Sequence, residues 1–183
     1  MKCFLRASAL IVVLIGLLPA SAQTPSGREV VTASAVTSFD PVARGSSFKL
    51  AVILKIRPGY HINAREVSAE YLIPTDLRVE APEGFKASEV SYPKGTLQSF
   101  TFSKTPLNVY QGNAILLVKL SAPPGAALGV QHIPLKLRYQ ACSEEICLPP
   151  VKVDVDAKFT IVSKPSEAKP ANAEFFKESR SLQ

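Results

Sequence analysis

The chain has 183 residues, 46% of them hydrophobic, with 21 basic and 15 acidic side chains and a net charge of +6. The basic residues are scattered, without a basic run or interleaved aromatics, which excludes a nucleic-acid surface. Three cysteines, two histidines and one methionine offer few metal ligands, so no metal and no other cofactor is expected.

Residues 1–22 read as a secretory signal peptide. Lys2 and Arg6 open it, Ala7 to Leu18 is an uncharged apolar run, and Ala20-Ser21-Ala22 supplies the small-x-small cleavage pattern. The run is shorter than the ~20 residues a spanning helix needs, and no later run is longer. The expected product is exported, begins at Gln23 and does not itself span the membrane. Cys3 leaves with the leader. Cys142 and Cys147 stay, in an oxidising compartment where a pair closes unless something reduces it.

Residues 23–29 read as a linker, and 30–162 as one domain. Val30 to Phe39 is a weak strand. Phe48, Leu50, Val52, Leu54 and Ile56 alternate with Ser47, Lys49, Ala51, Ile53 and Lys55. That period of two marks a strand with one buried face. Leu77 to Glu80 is a second weak strand, and Asn113 to Leu120 a short, more wholly apolar one. Ile133, Leu135, Leu137 and Tyr139 alternate with polar neighbours, as do Val151, Val153, Val155, Ala157, Phe159 and Ile161. Pro58-Gly59, Pro82-Glu83-Gly84, Pro93-Lys94-Gly95 and Pro123-Pro124-Gly125 punctuate these runs as turns. The pattern predicts an all-β, immunoglobulin-like β-sandwich, single domain. From Ser163 the alternation stops. Residues 163–183 read as a disordered or short-helical tail, with Phe175 and Phe176 on one side of any helix.

Cys142 and Cys147 have four residues between them. With 143–146 as the loop they become cross-strand neighbours, with Cβ atoms roughly 4.5–5.5 Å apart, slightly wide for a disulfide. Closing a six-residue loop adds only about 2 kcal/mol of stability on the chain-entropy argument. A strained, exposed disulfide of this kind is readily reduced. Glu144 and Glu145 in the loop disfavour a thiolate and raise both thiol pKa values, which leaves reaction to a partner carrying its own activated cysteine. The competing expectation is a β-sandwich binding module with a purely structural disulfide. His61 follows a Pro-Gly turn and His132 opens a strand, so both are expected to be structural. No nucleophile elbow accompanies them, which leaves a hydrolase without a base and nucleophile.

The stretch Tyr139-Gln-Ala-Cys142 to Cys147-Leu-Pro-Pro150 resembles the active-site hairpin of the N-terminal periplasmic domain of the thiol:disulfide interchange protein DsbD. Pro58-Gly59-Tyr60-His61-Ile62, Ser91-Tyr92-Pro93 and Val109-Tyr110-Gln111-Gly112 resemble other pieces of that family in the same order. The likeness covers about residues 30–162. It implies an immunoglobulin-like periplasmic electron carrier. Such a domain takes reducing equivalents from a membrane-embedded reductase and passes them to periplasmic thioredoxin-like proteins, among them disulfide isomerases and cytochrome c maturation thioredoxins. By the same likeness Cys147 exchanges with partner thiols, Cys142 resolves the mixed disulfide, and Phe100 or Phe102 caps the cysteines. The hairpin loop is one residue shorter than in better-known members. No membrane or thioredoxin domain accompanies it here, so the donor is expected to act in trans.

Overall fold

The computed structural model describes residues 25–177; the expected leader and its cleavage point lie outside them. The chain enters through one helical turn, Gly27–Val30, where the expected linker ends. Twelve strands follow among the described residues: β1 (Val31–Thr37), β2 (Val42–Ala43), β3 (Ser47–Ile56), β4 (His61–Asn63), β5 (Asp76–Val79), β6 (Lys86–Ala87), β7 (Thr96–Gln98), β8 (Leu107–Tyr110), β9 (Asn113–Ser121), β10 (Gly129–Tyr139), β11 (Ala141–Cys142) and β12 (Val151–Val162).

Two four-stranded sheets form the sandwich, in the orders β1-β3-β9-β6 and β2-β12-β10-β5. The chain is thus all-β, with the sandwich of immunoglobulin type that its alternating strands predict. Leu50, Leu54, Leu116 and Leu120 of the first sheet and Ile133, Leu135, Leu137, Phe159 and Ile161 of the second belong to one buried cluster. Phe48 on β3 and Phe159 on β12 close the gap between the sheets, with ring centroids 5.2 Å apart. The period of two holds without exception from Ile133 to Tyr139, buried and exposed residues alternating. The buried Tyr139 hydroxyl donates to the Gly27 carbonyl at 2.9 Å, tying the entry turn to β10.

Two expectations need correction. Strand β3 is buried on both faces from Leu50 to Ile53, because β1 and β9 flank it and make it a central strand. Strand β9 is not uniformly apolar in its environment; its alternate residues Ala114, Leu116, Val118 and Leu120 are the buried ones. The segment expected to be a disordered or short-helical tail is fastened as far as it is described. Asp40 donates to Lys169 O, Lys169 to Pro41 O and Ala171 to Ser38 O, and the Asn172 amide donates to Thr37 O. These bonds pair the tail with the end of β1, and only the short 3-10 turns Pro165–Glu167 and Ala173–Phe175 are helical. A run rich in Lys, Pro and Glu carries no alternation, yet its backbone groups still find partners at an open sheet edge.

A third sheet, β11-β4-β8-β7, continues the core at one end. Ile62, Tyr110, Ala141 and Leu148 join it to the main cluster. This small sheet carries the cysteines.

Candidate functional site

The ladder between β10 and β12 ends at the pair Tyr139–Val151. At Gln140 the chain leaves that sheet, and Ala141 and Cys142 pair instead with Ile62 and His61 of β4. Gln140 holds the crossing. Its carbonyl oxygen Oε1 accepts from Asn63 Nδ2 and from Ile73 N, each at 3.3 Å, and its Nε2 donates to Leu148 O at 3.3 Å. The hairpin tip is closed by local bonds. Ser143 N donates to Ile146 O at 2.8 Å, and Ser143 Oγ accepts from the backbone N–H groups of Glu145 and Ile146 at 3.2 Å. A serine at the first loop position suits this role, since its hydroxyl bonds the backbone two and three residues on.

Cys142 and Cys147 face each other across an isolated bridge and form a disulfide with S–S 2.03 Å and Cα–Cα 3.9 Å. The backbones lie closer than the usual ~4.4–6.8 Å, so the expected wide gap is not there: Ser143 and Ile146 draw the two arms together. The flanking long strands do not hold the cysteines, because those strands belong to a different sheet. Cys142 is fully buried and Cys147 is exposed. Of the two residues, only Cys147 reaches solvent.

The Pro58-Gly59 turn, with Gly59 at φ +81° where a side chain would be strained, swings β4 under the hairpin. It places His61 opposite Cys142. His61 is buried, and desolvation pushes its pKa down to about 4. Phe100 stacks on the imidazole with centroids 4.0 Å apart and planes 20° apart, and Phe102 stacks on Phe100 at 5.4 Å. Both phenylalanines lie in the loop between β7 and β8, not in a strand. Phe100 is buried in a satellite cluster with Leu72, Leu107 and Val109, while Phe102 is 39% exposed. Thr101, between them, donates from Oγ1 to Glu144 O at 3.0 Å, which fastens this loop to the cysteine hairpin. Glu144 and Glu145 are exposed at the tip, beside exposed Ile146.

The other histidine is elsewhere. His132 is exposed on β10 and bonds Asp156 at 2.6 Å. Among the described residues, no three of His, Cys, Asp and Glu gather closely enough to hold a metal ion, and no helix is long and apolar enough to cross a membrane. A cleft of about 740 Å³ is lined by Ala64 to Ser68, Tyr92 to Gly95 and Tyr110 among others. Neither cysteine lines it.

The model of the family "thiol:disulfide interchange protein DsbD, N-terminal" matches residues 28–158. The chain belongs to this family. No curated protein matches it. Among solved structures it is similar to the reduced DsbD N-terminal domain of Neisseria meningitidis, at 19% identity over 79% of this chain and 91% of that one, with TM-score 0.44. It is also similar to the N-terminal periplasmic domain of ScsB from Proteus mirabilis, at 13% identity over 71% of this chain and TM-score 0.45. Here the chain spans 45% of the neighbour's length.

Sequence reasoning picked out both cysteines, both phenylalanines and both glutamates, and the fold brings all six to one end of the small sheet. It passed over three residues. Gln140 and Ser143 were visible as the polar neighbours of Cys142. Thr101 carries no sequence signal, because its partner is a backbone carbonyl 43 residues away.

Proposed function

We propose that this protein is a periplasmic thiol–disulfide exchange protein, an electron carrier whose single reversible disulfide is Cys142–Cys147. The observation that carries the reading is the asymmetry of the pair. Cys147 is exposed and Cys142 fully buried, under a loop whose two aromatic rings stack toward the hairpin. An incoming thiolate attacks the sulfur it can reach, and exchange needs an accessible, in-line approach. Cys147 therefore forms the mixed disulfide, and when the reduced pair delivers its electrons to a client disulfide Cys142 resolves it. Exposed Glu144 and Glu145 raise the pKa of the free thiols and keep the dithiol slow toward casual oxidants. Phe100 and Phe102 shield the pair between encounters. Exposed Ile146 and Phe102 border the site and give a thioredoxin-like partner an apolar landing. The donor is a membrane-embedded reductase. The clients are thioredoxin-like proteins of the same compartment, including those of disulfide isomerisation and cytochrome c maturation.

The test is a redox titration in glutathione or dithiothreitol buffers, followed by thiol alkylation. Exchange proteins fall between about −120 and −270 mV, and structural disulfides below about −300 mV. A value in the upper range is expected. A value below about −300 mV would return the molecule to the class of exported binding modules with an inert disulfide.

A further inference from the structure

The exchange chemistry just described makes no use of His61, yet the fold buries its imidazole beneath Phe100. The residue is 1% exposed, and its Nε2 has no hydrogen-bond partner among the described residues. Buried polar atoms are nearly always paired, and an unpaired one costs stability. Its cross-strand partner is Cys142. Directly opposed residues put their side chains on one face, with Cβ atoms roughly 4.5–5.5 Å apart. Phe100 covers the ring and separates it from solvent. In the disulfide, Cys142 Sγ carries no hydrogen; as a thiol it is a donor.

We infer that His61 is a positioning residue for the exchange, its Nε2 accepting the Cys142 thiol hydrogen in the reduced protein and left unpartnered when the disulfide closes. This rests on the proposed exchange function. Burial keeps the imidazole neutral at physiological pH, with its pKa near 4, so one ring nitrogen retains a free lone pair. The step balances as follows. A partner dithiol, as thiolate, attacks Cys147 Sγ. The Cys142–Cys147 bond breaks and its electron pair passes to Cys142 Sγ, which takes up a proton and donates it as a hydrogen bond to His61. The partner's second thiolate then displaces Cys147, which is protonated in turn. Two electrons and two protons leave the partner dithiol, which becomes a disulfide, and the pair becomes a dithiol. Because reduction satisfies Nε2 and oxidation strands it, His61 biases the pair toward the dithiol.

The experiment uses the purified exported protein, wild type and His61→Phe, titrated in dithiothreitol buffers with thiol alkylation. The phenylalanine keeps the stacked ring and removes the nitrogen. The expected result is an equilibrium shifted about tenfold toward the disulfide in the variant, about 30 mV more negative. A second measurement needs no variant. In 15N-histidine-labelled wild-type protein, the His61 Nε2 resonance moves on reduction while that of His132 stays. Equal potentials in the two proteins, or a His61 resonance indifferent to reduction, would overturn the inference. Failure of the exchange reading is a separate outcome, seen as a wild-type potential below about −300 mV whatever the variant does.

Discussion

On one side of Gln140, β10 meets β12 in eleven consecutive register pairs. On the other, β11 meets β4 in two. The long ladder is redundant: any one of Ile133, Leu135 and Leu137 is backed by neighbours buried as fully as itself. The short one is not. Its geometry depends on single contacts from Gln140, Ser143, Thr101 and the stacked rings. A scaffold can afford to be rigid, but a disulfide that opens and closes needs surroundings that change at low cost. On the proposed function, stability is concentrated in the first region and reactivity in the second.

Separating the two is the strongest way to test that division. Leu135→Ala, at a fully buried position, is expected to cost about 2–5 kcal/mol in urea unfolding and to leave the reduction potential of the cysteine pair unchanged. A shifted potential would show that the sandwich core and the site are one unit. The next largest effect is expected at low pH. His61 has a folded pKa of about 4 against 6.5 for the free side chain. Between those values the unfolded chain binds the proton and the folded chain does not. Stability is therefore full above pH 6.5 and falls as pH drops toward 4, by on the order of 3 kcal/mol in all. Urea midpoints at pH 7 and pH 4.5 measure this slope, and His61→Phe is expected to flatten it. An equally steep slope in the variant would assign the acid sensitivity to other groups. Third comes Cys142→Ala with Cys147→Ala. It abolishes exchange and is expected to cost about 2 kcal/mol, the entropy of a six-residue loop. A loss twice that size would make the disulfide a structural clamp.

The same division explains what could be read from the sequence. Alternation marks the long strands because period-two burial repeats over seven residues or more, as from Gly129 to Tyr139. The short strands β2, β6, β7 and β11 have two or three residues each and no period to detect. The cysteines, Phe100, Phe102, Glu144 and Glu145 were legible because their chemistry is unusual or their motif is. The switch of sheet at Gln140 was not, and it changes the picture of the site: Cys142 lies against His61 rather than at the end of β10. His61 itself was in plain view, next to the Pro58-Gly59 turn. Its role was hidden because pairing across a sheet depends on register, and register between β4 and β11 is set 80 residues apart in sequence by the turn at one and the crossing at the other.

The smallest effect is expected at Thr101. Its hydroxyl donates to Glu144 O at 3.0 Å from an exposed position, and it joins the aromatic loop to the hairpin tip. Thr101→Val keeps the shape and deletes the donor. A net hydrogen bond contributes about 0.5–1.5 kcal/mol, and an exposed one the lower part of that range. Global stability should therefore fall by less than about 1 kcal/mol. The loop, however, is held to the hairpin by this bond and to β4 by the stack of Phe100 on His61, so losing one tie should raise the population in which the loop stands away from the hairpin. A change of that size corresponds to roughly a two- to fivefold population shift, and alkylation of the buried Cys142 thiol in the reduced protein by iodoacetamide is expected to accelerate by the same factor. Phe100→Leu removes the other tie and, on the proposed shielding role of the ring stack, should accelerate it further. If Thr101→Val leaves the alkylation rate unchanged, the stack alone keeps the site closed, and the contrast between a redundant scaffold and a singly fastened site narrows to the two rings.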